Sequence, residues 1–126
     1  MEIRSLAWIG LPTPDHAEAR RFLIDVLGIT PWLDLPDFTV ADLPNGDRVE
    51  LFGPSSARPH MAAPIAGFLV EDVDEARAEL EAKGVEFVEP TGSDDEGRVK
   101  WAHFRGPGGW VLELLQNPDH PIASVG

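Results

Sequence analysis

The sequence predicts an α+β fold in which two βαβββ modules pair their curved sheets around a cleft. First, the order strand, helix, short strand and β-hairpin occurs twice along the 126 residues. Second, residues 15–20 (DHAEAR) and 72–77 (DVDEAR) share the pattern Asp-x-x-Glu-Ala-Arg, 57 residues apart. Third, residues 49–51 (VEL) and 112–114 (LEL) place a glutamate at the same point of each hairpin. Duplication of one module explains all three observations.

The first module begins with an apolar strand over residues 3–11. Thr13 as the N-cap and Pro14 at the first helical position predict a helix over residues 15–28, which Gly28 ends. Five residues are expected to form the buried stripe of this helix: Ala19, Phe22, Leu23, Val26 and Leu27.

A hairpin completes the first module. Residues 38–43 and 48–52 have the composition of strands and flank Asn45-Gly46, which is a strong hairpin signal. The following residues, 54–64, are rich in proline and have no apolar period, so they are predicted to form a linker.

The second module repeats this order. A strand over residues 65–70 precedes a helix that Asp72 caps and Gly84 ends. A short strand over residues 85–88 and a hairpin over residues 99–116 follow. The predicted organisation is a single domain over residues 1–126, with modules over 3–53 and 65–116 joined by the linker over 54–64.

The candidate functional residues lie on the two hairpins. Glu113 interrupts an apolar strand, where an acid faces either solvent at an edge or a cavity. Glu50 occupies the matching position of the first module, so both carboxylates are expected to enter the cleft from equivalent strands. Trp101 and His103 alternate along the partner strand of the second hairpin and therefore share one face.

Composition narrows the classes of partner. A formal net charge of −12 and a pI near 4.5 disfavour nucleic acid and anionic membranes as partners. The chain has no cysteine, which excludes disulfides, thiolate metal sites and cysteine nucleophiles. Neither a signal peptide nor a membrane-spanning run is recognisable, so a cytoplasmic location is expected.

Two motifs resemble those of the vicinal oxygen chelate superfamily. Residues 104–114 (FRGPGGWVLEL) are similar to its signature F-R-D-P-D-G-x-x-x-E-L, and residues 15–28 are similar to its helix motif D-x-x-x-x-x-x-F-Y-x-x-x-L-G. The superfamily includes glyoxalase I, extradiol dioxygenases, fosfomycin-resistance enzymes and bleomycin-binding proteins. The resemblance implies the glyoxalase/bleomycin-resistance fold of paired βαβββ modules, and a homodimer.

The resemblance also defines where a metal would bind. In metal-dependent members, the ligands come from the first and last strands of each module, which here correspond to Trp8, Glu50, Ile65 and Glu113. Tryptophan and isoleucine cannot bind a metal, so no cofactor is expected. The other interpretation is a divalent metal held by Glu50, His103 and Glu113, in an arrangement similar to a facial triad.

Three hypotheses about function follow. In the first, the protein has lost the metal site and binds a planar or cationic small molecule. Glu50 and Glu113 would act there with residues expected to line the cleft: Trp8, Phe38, Ile65, Trp101 and His103. In the second, the protein is a lyase, an isomerase or a dioxygenase that uses the glutamates as atypical metal ligands or as general acid and base. In the third, the cleft is vestigial and the protein is a structural module.

Overall fold

The computed structural model describes residues 1–123 and consists of one mixed sheet with a helix on each half. The strands are β1 Ser5–Pro12, β2 Leu33–Leu35, β3 Phe38–Asp42, β4 Arg48–Phe52, β5 Ile65–Leu69, β6 Gly92–Ser93, β7 Lys100–Arg105 and β8 Val111–Gln116. The helices are α1 His16–Arg21, which continues as a π-helical turn over Phe22–Val26, and α2 Val73–Ala82.

The curled sheet has eight strands in the order β2-β3-β4-β1-β5-β8-β7-β6. Within each half, the first strand pairs in parallel with the last, β1 with β4 and β5 with β8. The two halves join where β1 pairs with β5 in antiparallel register. This arrangement confirms the predicted α+β fold of two βαβββ modules, and it joins the two halves within a single chain.

The repeat extends to the register of the sheet. Glu50 lies opposite Gly10 in the β1–β4 pair, and Glu113 lies opposite Gly67 in the β5–β8 pair. Gly10 and Gly67 are separated by the same 57 residues as the helix motifs. The two glutamates therefore occupy equivalent positions of the two modules, as their sequence context predicts.

Both helices begin with an aspartate cap. The side chain of Asp15 accepts a hydrogen bond from the backbone N–H of Glu18 at 3.1 Å. Asp72 accepts one from the backbone N–H of Glu75 at 3.0 Å. The prediction that Thr13 is the first cap is wrong, because the cap is Asp15 and the Thr13 hydroxyl accepts a hydrogen bond from the backbone N–H of Asp15, ahead of the helix.

The predicted apolar stripe of the first helix is only partly buried. Leu23 is 3% exposed, whereas Phe22, Val26 and Leu27 are 54%, 66% and 55% exposed. After Arg21 the backbone widens, so that the N–H of Leu27 donates to the carbonyl of Phe22, five residues earlier. A π-helical turn changes the angular spacing of side chains, so a period of about 3.6 residues no longer predicts which of them face the sheet.

The short strand predicted over residues 85–88 is absent from the described chain. Phe87 forms an isolated bridge with Phe104, and the strand that pairs with β7 at this edge is β6. The backbone of Glu86 and Val88 makes single hydrogen bonds to β7. Such isolated bonds do not make a continuous ladder, and Pro90 then removes a donor from the chain.

The helices cover only the convex face of the sheet. Leu23 packs there on Val49 and Leu51 of β4. In the second half, Val73 and Ala76 of α2 pack in a cluster with other buried residues: Val70, Ala102 and Leu114. The alternate side chains of the same strands point to the concave face, where they surround a cleft.

Within residues 1–123, no helix has both the length and the apolar character needed to cross a membrane.

Candidate functional site

The concave face contains a cavity of about 170 Å³, built by both halves of the chain. Its lining residues are Trp8, Phe38, Arg48, Glu50, Phe52, Arg58, Val99, Trp101, Glu113 and Leu115. Aromatic rings form much of this lining. The ring of Phe52 lies 6.4 Å from that of Trp8 in an edge-on arrangement and 5.3 Å from that of Phe38.

Trp8 fills space between the two modules. It is 5% exposed, and its indole lies over Gly10 so closely that a Cβ atom at Gly10 would overlap the ring. At Gly67, a Cβ atom would lie 3.0 Å from Trp8 Cβ and 2.8 Å from Glu113 Oε2. The glycines opposite the two glutamates therefore provide the room that the Trp8 and Glu113 side chains occupy.

Glu113 is a buried carboxyl group with one free oxygen. The residue is 3% exposed, and its Oε2 atom has no hydrogen-bond partner. Burial raises the pKa of Glu113 well above its ordinary value, and the negative charge of Glu50 raises it further. Glu113 therefore keeps its proton to a higher pH than an ordinary glutamate.

Glu50 lies in a less closed environment of the same cavity. Burial raises its pKa, whereas interaction with the Trp8 indole and the charges of Arg48 and Arg58 oppose this shift. Arg48 is itself paired with Asp42, at 2.7 Å between Nε and Oδ1. The cavity thus combines two carboxyl groups and two guanidinium groups with aromatic walls.

His103 lies behind Glu113 and is fully buried. Its Nε2 atom is 2.9 Å from Glu113 Oε1, and its Nδ1 atom is 2.7 Å from Nε2 of His60. Burial lowers the pKa of His103 to about 3, and the positive charge of Arg58 contributes to this shift. Burial also lowers the pKa of His60. Both imidazoles are therefore neutral at neutral pH.

His60 and His103 form a group with Glu89 that could hold a metal ion. Each residue offers one ligand atom, and these atoms all lie within 4.8 Å of one another. Among residues 1–123, this is the one group of three or more possible ligand residues that lies so close together. Sequence patterns did not indicate His60 or Glu89 as ligands. His60 lies in the linker and Glu89 in the segment between α2 and β6, so neither belongs to a strand. Segments without an apolar period give no sequence signal of the residues that they contact.

The structure brings together most of the predicted site residues. Trp8, Phe38, Glu50, Trp101 and Glu113 line the cavity. Ile65 and His103 do not line it but are buried beside it, Ile65 in the cluster that contains Trp8. Five further residues line the cavity and were not predicted: the cations Arg48 and Arg58, the aromatic Phe52, and the aliphatic Val99 and Leu115. Arg58 comes from the linker, which explains why strand patterns did not indicate it.

The metal site of metal-dependent superfamily members does not fit these residues. Of the four positions, Trp8 and Ile65 offer no ligand atom, and the indole of Trp8 fills the space over Gly10. The remaining two ligands would be Glu50 and Glu113, both of which burial disfavours as anions. Two carboxylates supply few of the about six oxygens that Mg²⁺ or Ca²⁺ takes, and no nitrogen for a transition metal.

A family model described as the glyoxalase/bleomycin resistance protein/dioxygenase superfamily matches residues 5–114. The chain therefore belongs to this superfamily, as the motifs of the second hairpin and first helix indicated. No curated protein sequence matches the chain significantly.

Solved structures share the fold over most of their length. A superfamily member from Vibrio splendidus is 21% identical, with a TM-score of 0.65 over 86% of this chain and 96% of its own. Methylmalonyl-CoA epimerase from Streptomyces coelicolor is 16% identical, with a TM-score of 0.70 over 94% of this chain and 98% of its own. A protein from Legionella pneumophila described as an NAD-dependent benzaldehyde dehydrogenase is 18% identical, with a TM-score of 0.67 over 86% of this chain and 96% of its own. At these identities the similarity shows the fold alone.

Proposed function

We propose that the protein binds a small planar cation in the cleft, without a metal at the four superfamily positions. The observation that carries this proposal is the free Oε2 atom of Glu113 in the wall of an aromatic cavity. A buried polar atom without a partner costs about 1–3 kcal/mol, which a ligand N–H group would recover. A bound cation would favour the ionised form of Glu113, whose Oε2 atom then accepts the ligand N–H group, and this attraction must exceed the repulsion from Arg48 and Arg58 in the same lining.

The walls of the cavity suit a flat ligand. Aromatic rings attract planar groups, and a cation over such a ring gains further stabilisation. The rings in the lining are those of Trp8, Phe38, Phe52 and Trp101. The cavity is comparable in size to one of about 150 Å³ that holds benzene, so one ring is the size of group that it would enclose.

The first prediction concerns ligand binding. Benzamidine, a single-ring planar cation, should bind and raise the midpoint of thermal unfolding, whereas the neutral isostere benzamide should bind at least tenfold more weakly. Glu113→Gln should remove this preference for the cation, because the amide keeps the shape but not the charge. Isothermal titration calorimetry of the wild type and the variant measures both effects.

The matched control is Glu96→Gln, the same change at an exposed glutamate of an outer loop. It should bind benzamidine as the wild type does. Absence of binding in the wild type, or an unchanged preference in Glu113→Gln, would contradict the proposal.

A second candidate function is proton-transfer catalysis in the same cavity. It is supported by the two carboxyl groups, because burial and the charge of Glu50 hold the pKa of Glu113 well above its ordinary value. A protonated acid beside a second carboxylate provides a general acid and a general base. Chemical conversion of a bound ligand that stops in Glu113→Gln would favour this function over binding alone.

A further inference from the structure

We propose that His60, His103 and Glu89 form a binding site for one Zn²⁺-like divalent transition metal, separate from the superfamily positions. By binding both His60 and His103, such an ion would cross-link the linker to β7. His60 belongs to the linker, His103 to β7, and Glu89 to the segment between α2 and β6. Two imidazoles and a carboxylate are ligands that Zn²⁺ accepts, with a fourth position open to water.

The spacing of the three side chains is close to that of a metal site. Zn²⁺ bonds of about 2.0–2.2 Å in a tetrahedral site put ligand atoms about 3.3–3.5 Å apart. His60 Nε2 and His103 Nδ1 are 2.7 Å apart, and His103 Nδ1 is 4.0 Å from Glu89 Oε1. These two distances lie on either side of the required one, and one ligand atom from each of the three residues lies within 4.8 Å of the others. Small movements of the linker and of the Glu89 segment would bring the atoms to it.

The hydrogen bond behind His103 is an independent observation that points to a ligand. Metal-bound histidines generally donate their other ring N–H to a carboxylate or carbonyl group, which fixes the tautomer. His103 Nε2 has this partner, since Glu113 Oε1 lies 2.9 Å away. When Nε2 carries the ring proton, the Nδ1 lone pair of His103 points toward His60.

His60 can become a ligand without losing a net proton. A neutral imidazole carries one proton, and this proton moves from Nε2 to Nδ1 when Nε2 takes the metal. In the structure, Nδ1 of His60 lies 4.0 Å from Glu89 Oε2. The side chains of His60 and His103 are 9% and 0% exposed, so both rings lie inside the protein.

Arg58 is the group that opposes a cation here. Its Nε atom is 3.0 Å from Glu89 Oε1 but has no aligned hydrogen bond. The positive charge competes for Glu89 and repels a metal ion. Removal of this charge should therefore strengthen metal binding at His60, His103 and Glu89.

The test is Zn²⁺ binding to the untagged full chain by calorimetry, with metal content measured after dialysis. The wild type should retain one Zn²⁺ per chain, and Co²⁺ in its place should show the visible absorption of a tetrahedral site. His60→Gln and Glu89→Gln should each weaken binding at least tenfold. Arg58→Gln should tighten it several-fold, and Zn²⁺ should raise the unfolding temperature of the wild type but not of His60→Gln.

Two controls locate the metal. His120→Gln removes another histidine with a carboxylate partner, Asp47 at 2.9 Å, and should bind Zn²⁺ as the wild type does. Glu50→Gln should also leave binding unchanged, because Glu50 is outside the proposed site. The proposal is overturned if the wild type retains no Zn²⁺, if His60→Gln binds normally, if Arg58→Gln binds no more tightly, or if Glu50→Gln abolishes binding.

Discussion

At the scale of single residues, the cleft holds a carboxyl group whose pKa is raised by burial, beside an imidazole whose pKa is lowered by burial. Glu113 and His103 are linked at 2.9 Å, and their pKa values move in opposite directions, up for the acid and down to about 3 for the base. Both shifts favour the uncharged form, which is the consequence of desolvation. Stability should therefore depend on pH through both residues.

The residue-scale prediction concerns Glu113→Gln. The pKa of Glu113 is raised in the folded state, so at pH values above 4.5, its ordinary pKa, the folded chain binds more protons than the unfolded chain does. The stability contributed by this protonation is present at low pH and is lost as pH rises, by up to about 1.4 kcal/mol per pH unit. Glutamine does not titrate, so the variant should gain stability relative to the wild type as pH rises.

Urea unfolding from about pH 5 to about pH 8, with EDTA present, measures this difference through the free energy of unfolding. Glu96→Gln is the control, and it should follow the wild type at each pH because that side chain is exposed. A difference between Glu113→Gln and the wild type that does not grow with pH would contradict the prediction.

Sequence patterns predicted some of these residues and missed others for a physical reason. Strand alternation was enough to place Glu50 and Glu113 on one face, because their neighbours are apolar. His60 and Arg58 come from the linker, whose path across the concave face depends on tertiary contacts rather than on a local period. Met61, next to His60, is 4% exposed in the cluster with Trp8, which explains how the linker is held there.

At the scale of elements, the two helices show how far a repeat determines local structure. Asp15 and Asp72 are both N-caps, 57 residues apart, yet α1 has six residues before its π-helical turn and α2 has ten. The sequence predicted both helices and the aspartate cap of the second. It could not predict the π-helical turn, because apolar spacing alone does not distinguish regular helix from a widened turn.

The element-scale prediction concerns these caps. Asp15→Ala and Asp72→Ala should each lower the free energy of unfolding by about 1 kcal/mol, because each leaves a backbone N–H of the first turn without its acceptor. Asn keeps an acceptor oxygen, so Asp15→Asn and Asp72→Asn should cost less than the alanine variants. Chemical unfolding of the four variants checks this, and an alanine variant as stable as its asparagine counterpart would refute the cap's role.

At the scale of the whole molecule, the pairing of β1 with β5 makes the cleft a property of one chain. Trp8 and Glu50 come from the first half, and Trp101 and Glu113 from the second, yet all four line one cavity. The constant offset predicted two equivalent modules, which is why the fold was accessible from sequence. It did not show whether the modules pair within a chain, because a linker of this length is compatible with either arrangement. A homodimer remains a prediction.

The molecule-scale prediction concerns Gly67, which lies where the two halves meet. An added Cβ atom would lie 3.0 Å from Trp8 Cβ and 2.8 Å from Glu113 Oε2, so both side chains must move. Gly67→Ala should lower the free energy of unfolding by about 1–3 kcal/mol, the usual cost of overpacking. The same variant should weaken benzamidine binding, because the displaced groups are walls of the cavity.

A double-mutant cycle with Trp8→Leu separates this mechanism from a general loss of stability. If the alanine methyl group clashes with Trp8, the cost of Gly67→Ala should be smaller in the Trp8→Leu background, with a coupling energy above about 0.5 kcal/mol. Ala66→Val tests the neighbouring position of β5, whose side chain points to the convex face, and it should show no coupling to Trp8→Leu. Additive effects of Gly67→Ala and Trp8→Leu would mean that packing across the β1–β5 junction does not shape the cavity.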